Sequence, residues 1–264
     1  MTRALVEMPG VSETLEVPQT PRVFRTSKVP QTPSTLEYQP SMFLPNQNLA
    51  GTRSSRSWTE LPGNFDKLNC RALFHSGNEW GIPDLTAARL VPGELVAYNS
   101  RADIEKAGPG AAVHFFLDDY RFETVWNRPE RSLSRITSVG AALTPDFSLW
   151  RDMPLAMQLW QVYRARWCGA WLVKHGIRVI PTVGWSTPES WPFCFAGIEP
   201  GSVVALSTAG VRDPLARQLF AAGYAEMVRQ LSPSLVLCYG RPPPEQQVPV
   251  RCYPTRWDVN GRSG

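Results

Sequence analysis

From about Asn64 onward the chain alternates short, nearly continuous apolar runs with longer stretches of helical period. The runs are ELVAYN (94–99), AAVHFFL (111–117), GAALT (140–144), IRVIPT (177–182), SVVALST (202–208) and SLVLCYG (234–240). A strand with one wet face alternates apolar and polar positions; a strand covered on both faces does not. These runs therefore predict a parallel sheet with helices packed over it. Two further strands fit around residues 70–90 and at VRCY (250–253).

The intervening segments read as helices. Asp152-Met-Pro154 predicts one start, because an aspartate can cap free N–H groups and proline is tolerated in a first turn. That helix runs to about Lys174, where His175-Gly176 supplies the stop. On a helical wheel Leu155, Leu159, Tyr163, Ala170 and Val173 share one face. Arg166, seven residues after Leu159, returns to that face. A buried guanidinium needs a partner, which predicts a structural ion pair with an aspartate of the neighbouring strands. Asp213-Pro214 opens a second helix ending before Pro233, and Asn127-Arg-Pro129 a third, shorter one.

Strand, helix and strand repeated with right-handed crossovers give an α/β fold with mostly parallel strands. The globular part, residues 65–255, is short of the ~250 residues typical of an eight-stranded (β/α) barrel. A distorted or incomplete barrel is the expectation, with an open doubly wound sheet as the alternative.

Composition changes the picture at the ends. Residues 1–64 are Pro-, Thr- and Ser-rich and repeat VPQTP at 17–21 and 29–33. With little to bury they predict a disordered arm, and residues 256–264 a flexible tail. GTRSSRSW (51–58) reads as a solvated linker more readily than as a nucleic-acid contact. The net charge of +4 permits nucleic-acid binding without arguing for it. No apolar stretch approaches the ~18–20 residues of a membrane helix, and the N-terminus lacks an apolar signal core; a cytoplasmic protein with no membrane partner is expected. Five cysteines without CxxC spacing read as reduced thiols.

In both architectures active sites form at the carboxyl ends of the strands. Those ends carry Tyr98 and Asn99, Asp118 and Asp119, Asp146, Trp185, Ser207 and Thr208, and Tyr239 and Arg241. Asp118, Asp119 and Asp146 are the candidate catalytic carboxylates, as acid and base or as ligands of Mg²⁺ or Mn²⁺. Alternation along a strand lets only one of Asp118 and Asp119 enter a pocket, while the other turns away or caps the next segment. Asn99, Glu123, Trp185, Ser207 and Tyr239 are candidate substrate contacts, with Trp185 placed to stack on a ring or base. His114, inside an apolar strand, reads as a core residue, and three scattered histidines argue against zinc.

The blocks HFFLDDYRFETVWNRPE (114–130), LTPDFSLWRDMP (143–154), VYRARWCGAW (162–171), RVIPTVGWS (178–186) and YG (239–240) resemble the domain of unknown function 4417 family. Its members occur in bacteria, bacteriophages and other mobile elements. The resemblance covers roughly residues 65–245 and implies phage or mobile-element association, with no activity to carry over. The resulting expectation is a carboxylate-lined site acting on a nucleotide, nucleic acid or glycosidic substrate. The alternative is a non-catalytic binding or virion-associated protein whose Pro-rich arm contacts a phage or host partner.

Overall fold

Each of the apolar runs forms a strand, shorter than the run itself. β1 (Glu94–Ala97), β2 (Ala111–His114), β3 (Ala141–Leu143) and β4 (Arg178–Ile180) form one parallel sheet in that order. β5 (Val203–Ser207), β6 (Leu235–Tyr239) and β7 (Val250–Tyr253) form a second, also parallel. The computed structural model describes Asn69, residues 72–243 and residues 245–256. The arm expected over 1–64, the patch at 51–58 and all of the tail beyond Arg256 lie outside the described residues.

The chain just past β4 joins the two sheets. Val183 N–H donates to the Ala205 carbonyl and Ala205 N–H to the Pro181 carbonyl, both at 2.8 Å, around a parallel Thr182–Ala205 bridge. Strand neighbours thus follow chain order from β1 to β7, with none of the order reversal that defines a doubly wound sheet. Among the described residues no ladder joins β7 to β1, so the sheet curls without closing into a barrel. Side chains cross the seam instead: Tyr253 Oη donates to the Pro92 carbonyl at 2.6 Å. Of the two further strands expected, VRCY forms β7, whereas the described residues of the 70–90 stretch contribute only an isolated Leu85–Ile198 bridge.

The curl explains the unbroken apolar runs. One face of the strands gathers Leu95, Leu143, Ile180, Ala205, Leu237 and Tyr253 into a central cluster, so the sheet packs against itself. The opposite face packs on helices α1 (Arg101–Lys106), α2 (Thr124–Asn127), α3 (Pro129–Ile136), α4 (Leu155–Lys174), α5 (Trp191–Cys194) and α6 (Pro214–Leu231). There Val113 and Ala142 meet Trp126, Ile136 and Trp167. Val204 and Val236 meet Tyr224 and Met227. With both faces covered, neither can be polar.

The helix starts divide. Asp213 caps α6, accepting from Ala216 N–H at 2.8 Å, and Pro129 sits in the first turn of α3. Asp152 does not cap α4: Pro154 holds that position and no side chain closes the turn. The wheel also misjudged α4. Its centre is buried on all sides because Trp167, Cys168 and Trp171 join one core while Val162 joins the other. Leu155 and Val173, the ends of the expected apolar face, are exposed. Among the described residues no helix is long and apolar enough to cross a membrane.

Gly223 shows how closely α6 is packed. A Cβ there would overlap the indole of Trp185, whose Nε1 donates to the Leu219 carbonyl at 3.3 Å. Gly223→Ala is expected to destabilise the fold by about 1–3 kcal/mol through overpacking, despite alanine's helix preference of about 1 kcal/mol. Urea denaturation measures the difference, and a gain in stability would show that Trp185 can move aside.

Candidate functional site

Beyond β2 the chain enters a single 3-10 turn, Asp119–Arg121, and the two aspartates part company. Asp118 precedes the turn without capping it and forms an exposed pair with Arg121 at 2.9 Å. Asp119 reaches the loop after β3, accepting from Ser148 Oγ at 2.8 Å and from Ser148 N–H at 3.1 Å. It is the aspartate that turns toward the neighbouring strand.

Asp146, two residues before Ser148, lines a cavity of about 20 Å³ together with Arg166, Thr182 and Cys194. That volume is close to one water molecule. The residue keeps some surface, but its carboxyl group is densely surrounded, and among the described residues no donor or cation pairs with it. Burial first, and the neighbouring Asp119 charge second, push its pKa from 3.8 up to about 7. The structure therefore brings Asp119 and Asp146 together and leaves Asp118 with Arg121. Among the described residues there is no group of three or more His, Cys, Asp or Glu side chains able to hold a metal ion. Asp118, Asp119 and Asp146, the carboxylates expected to hold Mg²⁺ or Mn²⁺, do not form such a group of three.

Arg166 is buried as expected, at 1% exposure, but its partners correct the reading. Among the described residues no aspartate pairs with it. Nε donates to the Ala196 carbonyl at 3.2 Å, Nη1 to Thr182 at 3.0 Å and Nη2 to Cys194 at 3.0 Å. The planar fork spreads its charge over three carbonyl dipoles, which replace a carboxylate. Burial lowers its pKa to about 10, so it stays charged at neutral pH. The ion pair of α4 belongs instead to Arg164, which is buried, bonds the half-exposed Glu123 and lies 3.9 Å over the Phe147 ring. Glu123 is thereby engaged in packing α4 against the turn after β2.

The remaining candidates sit among packed groups. Asn99, past the end of β1, has an enclosed Oδ1 with no partner. Trp185 packs between Phe195 and Phe220. Ser207 Oγ donates to the Tyr239 carbonyl at 3.3 Å and accepts from Ala209 N–H at 3.2 Å. Tyr239 stacks on Phe116, and its hydroxyl accepts from Arg256 N–H at 3.0 Å. His114 is a core residue: its Nδ1 accepts from Phe116 N–H, and burial lowers its pKa to about 4, keeping the ring neutral.

The open cavity lies at the other end of the same rim. It measures about 650 Å³, and Thr208, Arg212, Arg217, Phe220, Arg241 and Thr255 line it, past the ends of β5, β6 and β7. Thr208 Oγ1 donates to the Arg241 carbonyl at 2.8 Å, fixing the loop after β6. Gly240, at φ +116°, permits this, since a Cβ there would lie 2.7 Å from that hydroxyl. Among the described residues none of the three arginines is ion-paired. Asp213, beside Arg212, is turned to Ala216 and to Arg151, 3.6 Å away. Strand-end reasoning reached Thr208 and Arg241. It missed Arg212 and Arg217, which arrive from the connection into α6 and from its first turn.

Fold and rim together define a parallel α/β domain with its polar groups collected at the carboxyl ends of the strands. The chain belongs to the family described as Domain of unknown function (DUF4417), which it matches over residues 74–253. It is 52% identical over 213 residues to the Gene 1 protein of Mycobacterium phage D29, covering 79% of each chain. It is 51% identical over 213 residues to the Gene 1 protein of Mycobacterium phage L5, covering 79% of this chain and 93% of that one. No solved structure matches.

Proposed function

We propose that this phage-type protein binds a phosphate-bearing ligand in the arginine-lined cavity at the ends of β5–β7. The observation that carries the reading is the grouping of Arg212, Arg217 and Arg241 around one cavity of about 650 Å³, with no carboxylate among the described residues that line it. Like charges gathered in one cleft repel, and an anion relieves that repulsion. Guanidinium groups also match phosphate oxygens two at a time. The phenyl ring of Phe220 supplies one apolar wall against which a base or sugar can lie.

A second reading adds chemistry to binding. Asp146, with a pKa near 7 beside Asp119, has the property of a general acid or base at neutral pH. Its cavity admits a water molecule and no substrate, so it would act through water on a ligand held outside.

Calorimetric titration with pyrophosphate and with thymidine monophosphate tests the binding reading. Arg212→Ala, Arg217→Ala and Arg241→Ala are each expected to weaken pyrophosphate about tenfold or more, since charge-assisted contacts contribute roughly 1.5–3 kcal/mol, with unchanged thermal midpoints. No heat from either probe at low salt, or unaltered affinity in all three variants, would remove this reading.

A further inference from the structure

The two most exposed large aromatic or apolar side chains of the described residues are Tyr120, at 74%, and Trp150, at 64%. The same fold buries Trp126 and Trp167 almost completely. Each exposed ring has an arginine next to it. The Arg121 guanidinium lies 5.1 Å from the Tyr120 ring centre, and Arg151 follows Trp150 in the chain.

These pairs are held in place by contacts along the rim. Asp119 grips Ser148 and so ties the turn bearing Tyr120 to the loop bearing Trp150. Gln158 Nε2 donates to the Trp150 carbonyl at 3.2 Å and to the Met153 carbonyl at 2.8 Å, fixing the main chain under the exposed indole. Arg151 then meets Asp213, the cap of α6, and Arg212 and Arg217 on either side of that cap line the cavity. One path of contacts therefore runs from Tyr120 and Arg121, past Trp150 and Arg151, into the three-arginine cavity.

We infer that the phosphate-bearing ligand is single-stranded nucleic acid, lying along this rim with phosphates on Arg151 and the cavity arginines and with bases stacked on Trp150 and Tyr120. The inference rests on the phosphate-binding reading above and names its ligand class. Interleaved cationic and aromatic side chains suit a single strand, whose unpaired bases offer π-faces to any ring regardless of sequence. A duplex hides those faces. The rim pairs Arg121–Asp118 and Arg151–Asp213 are both exposed and weak. Phosphates can therefore displace the carboxylates at small cost.

Fluorescence anisotropy of the full chain with a labelled oligothymidylate of about 15 nucleotides, a length near the upper site size of single-strand binders, is the test. Thymidine monophosphate and pyrophosphate serve as competitors. The oligonucleotide is expected to bind at least about tenfold more tightly than the mononucleotide. Its affinity should fall about tenfold or more between 50 and 200 mM salt if about three phosphates are engaged. Trp150→Ala should weaken the oligonucleotide about tenfold, as loss of one stacked base does, while pyrophosphate binding stays unchanged and Trp150→Phe restores most of the loss. Arg241→Ala should weaken both probes.

Pyrophosphate binding with an oligonucleotide no tighter than thymidine monophosphate would overturn this inference and leave the phosphate reading intact. Oligonucleotide binding indifferent to Arg241→Ala would overturn the cavity assignment instead. A mass above 29.5 kDa in solution that Trp150→Ala returns to the monomer value would assign the exposed rings to a protein interface and also overturn the inference.

Discussion

Arg166→Met is expected to destabilise the protein by about 3–5 kcal/mol, the range for breaking a buried charged network. Methionine fills much of the same volume, so lost packing is the smaller part. The larger part is the carbonyls of Thr182, Cys194 and Ala196, which each accept from this one guanidinium. Each buried carbonyl left unpaired costs roughly 1–3 kcal/mol, reduced where the loop relaxes to reach water. Arg166→Lys should fall between the two, because a tetrahedral ammonium cannot reach three carbonyls lying around a planar fork. Guanidinium chloride titrations of the three proteins measure the series. If methionine cost under about 1 kcal/mol, those carbonyls would have other partners, and Arg166 would not be what joins α4 to the segment after α5.

Asp146→Asn should act in the opposite direction and only above acid pH. Folding raises this carboxyl's pKa from 3.8 to about 7, so the folded state resists its ionisation. Well below pH 3.8 it is protonated in both states and contributes nothing. As pH rises from 4 to 7 the unfolded chain ionises first, and folding is penalised increasingly. Above 7 the penalty is complete. Its upper bound is roughly 4 kcal/mol at ~1.4 kcal/mol per pKa unit, and local relaxation brings the expectation to about 2–3 kcal/mol. The asparagine variant should therefore be more stable than the parent by that amount at pH 8 and by only about 0.6 kcal/mol at pH 4, converging with it below pH 3. Thermal midpoints across this range decide the matter. A variant less stable at pH 8 would mean that Asp146 is ionised and paired in the folded protein.

A carboxylate that weakens its own fold is the kind of group expected at a working site, and Asp146 is the stronger candidate of the three aspartates for that reason. Asp119 has a structural partner in Ser148, and Asp118 lies in solvent with Arg121. Residue type and strand-end position were the same for all three in the sequence. Only their surroundings separate them.

Much of the architecture was legible because its causes are local. Unbroken apolar runs are what a strand covered on both faces must carry, and six of them became strands β1–β6. VRCY became β7, a strand at the edge of the sheet whose Arg251 and Cys252 are exposed. Asp213-Pro214 starts a helix for reasons contained within one turn: free N–H groups and a proline that needs none. Of Asn127-Arg-Pro129, the proline sits in a first turn while Asn127 ends the helix before it. The end of α4 near His175-Gly176 is local too. Asp152 failed because a capping residue only offers a side chain, and the approach of the chain through Pro154 decides whether a helix accepts it.

The pairings of charge were not legible, since they depend on which elements touch. Arg164 and Arg166 are two residues apart on one helix. The first meets Glu123, a carboxylate 41 residues earlier, and the second meets carbonyls 16 to 30 residues later. A helical wheel assigns one buried face, but α4 packs between two cores, which buried both arginines. The arginine cavity was hidden likewise, because its members come from a loop, a helix turn and the ends of separate strands. The sequence by itself determined the strands, the two long helices, the parallel α/β class and the end of the sheet where polar groups collect, because side-chain period and turn chemistry act over a few residues. Tertiary structure alone decided the open curl of the sheet, the ionisation of Asp146 and the gathering of Arg212, Arg217 and Arg241, because burial and Coulomb fields depend on distance in space.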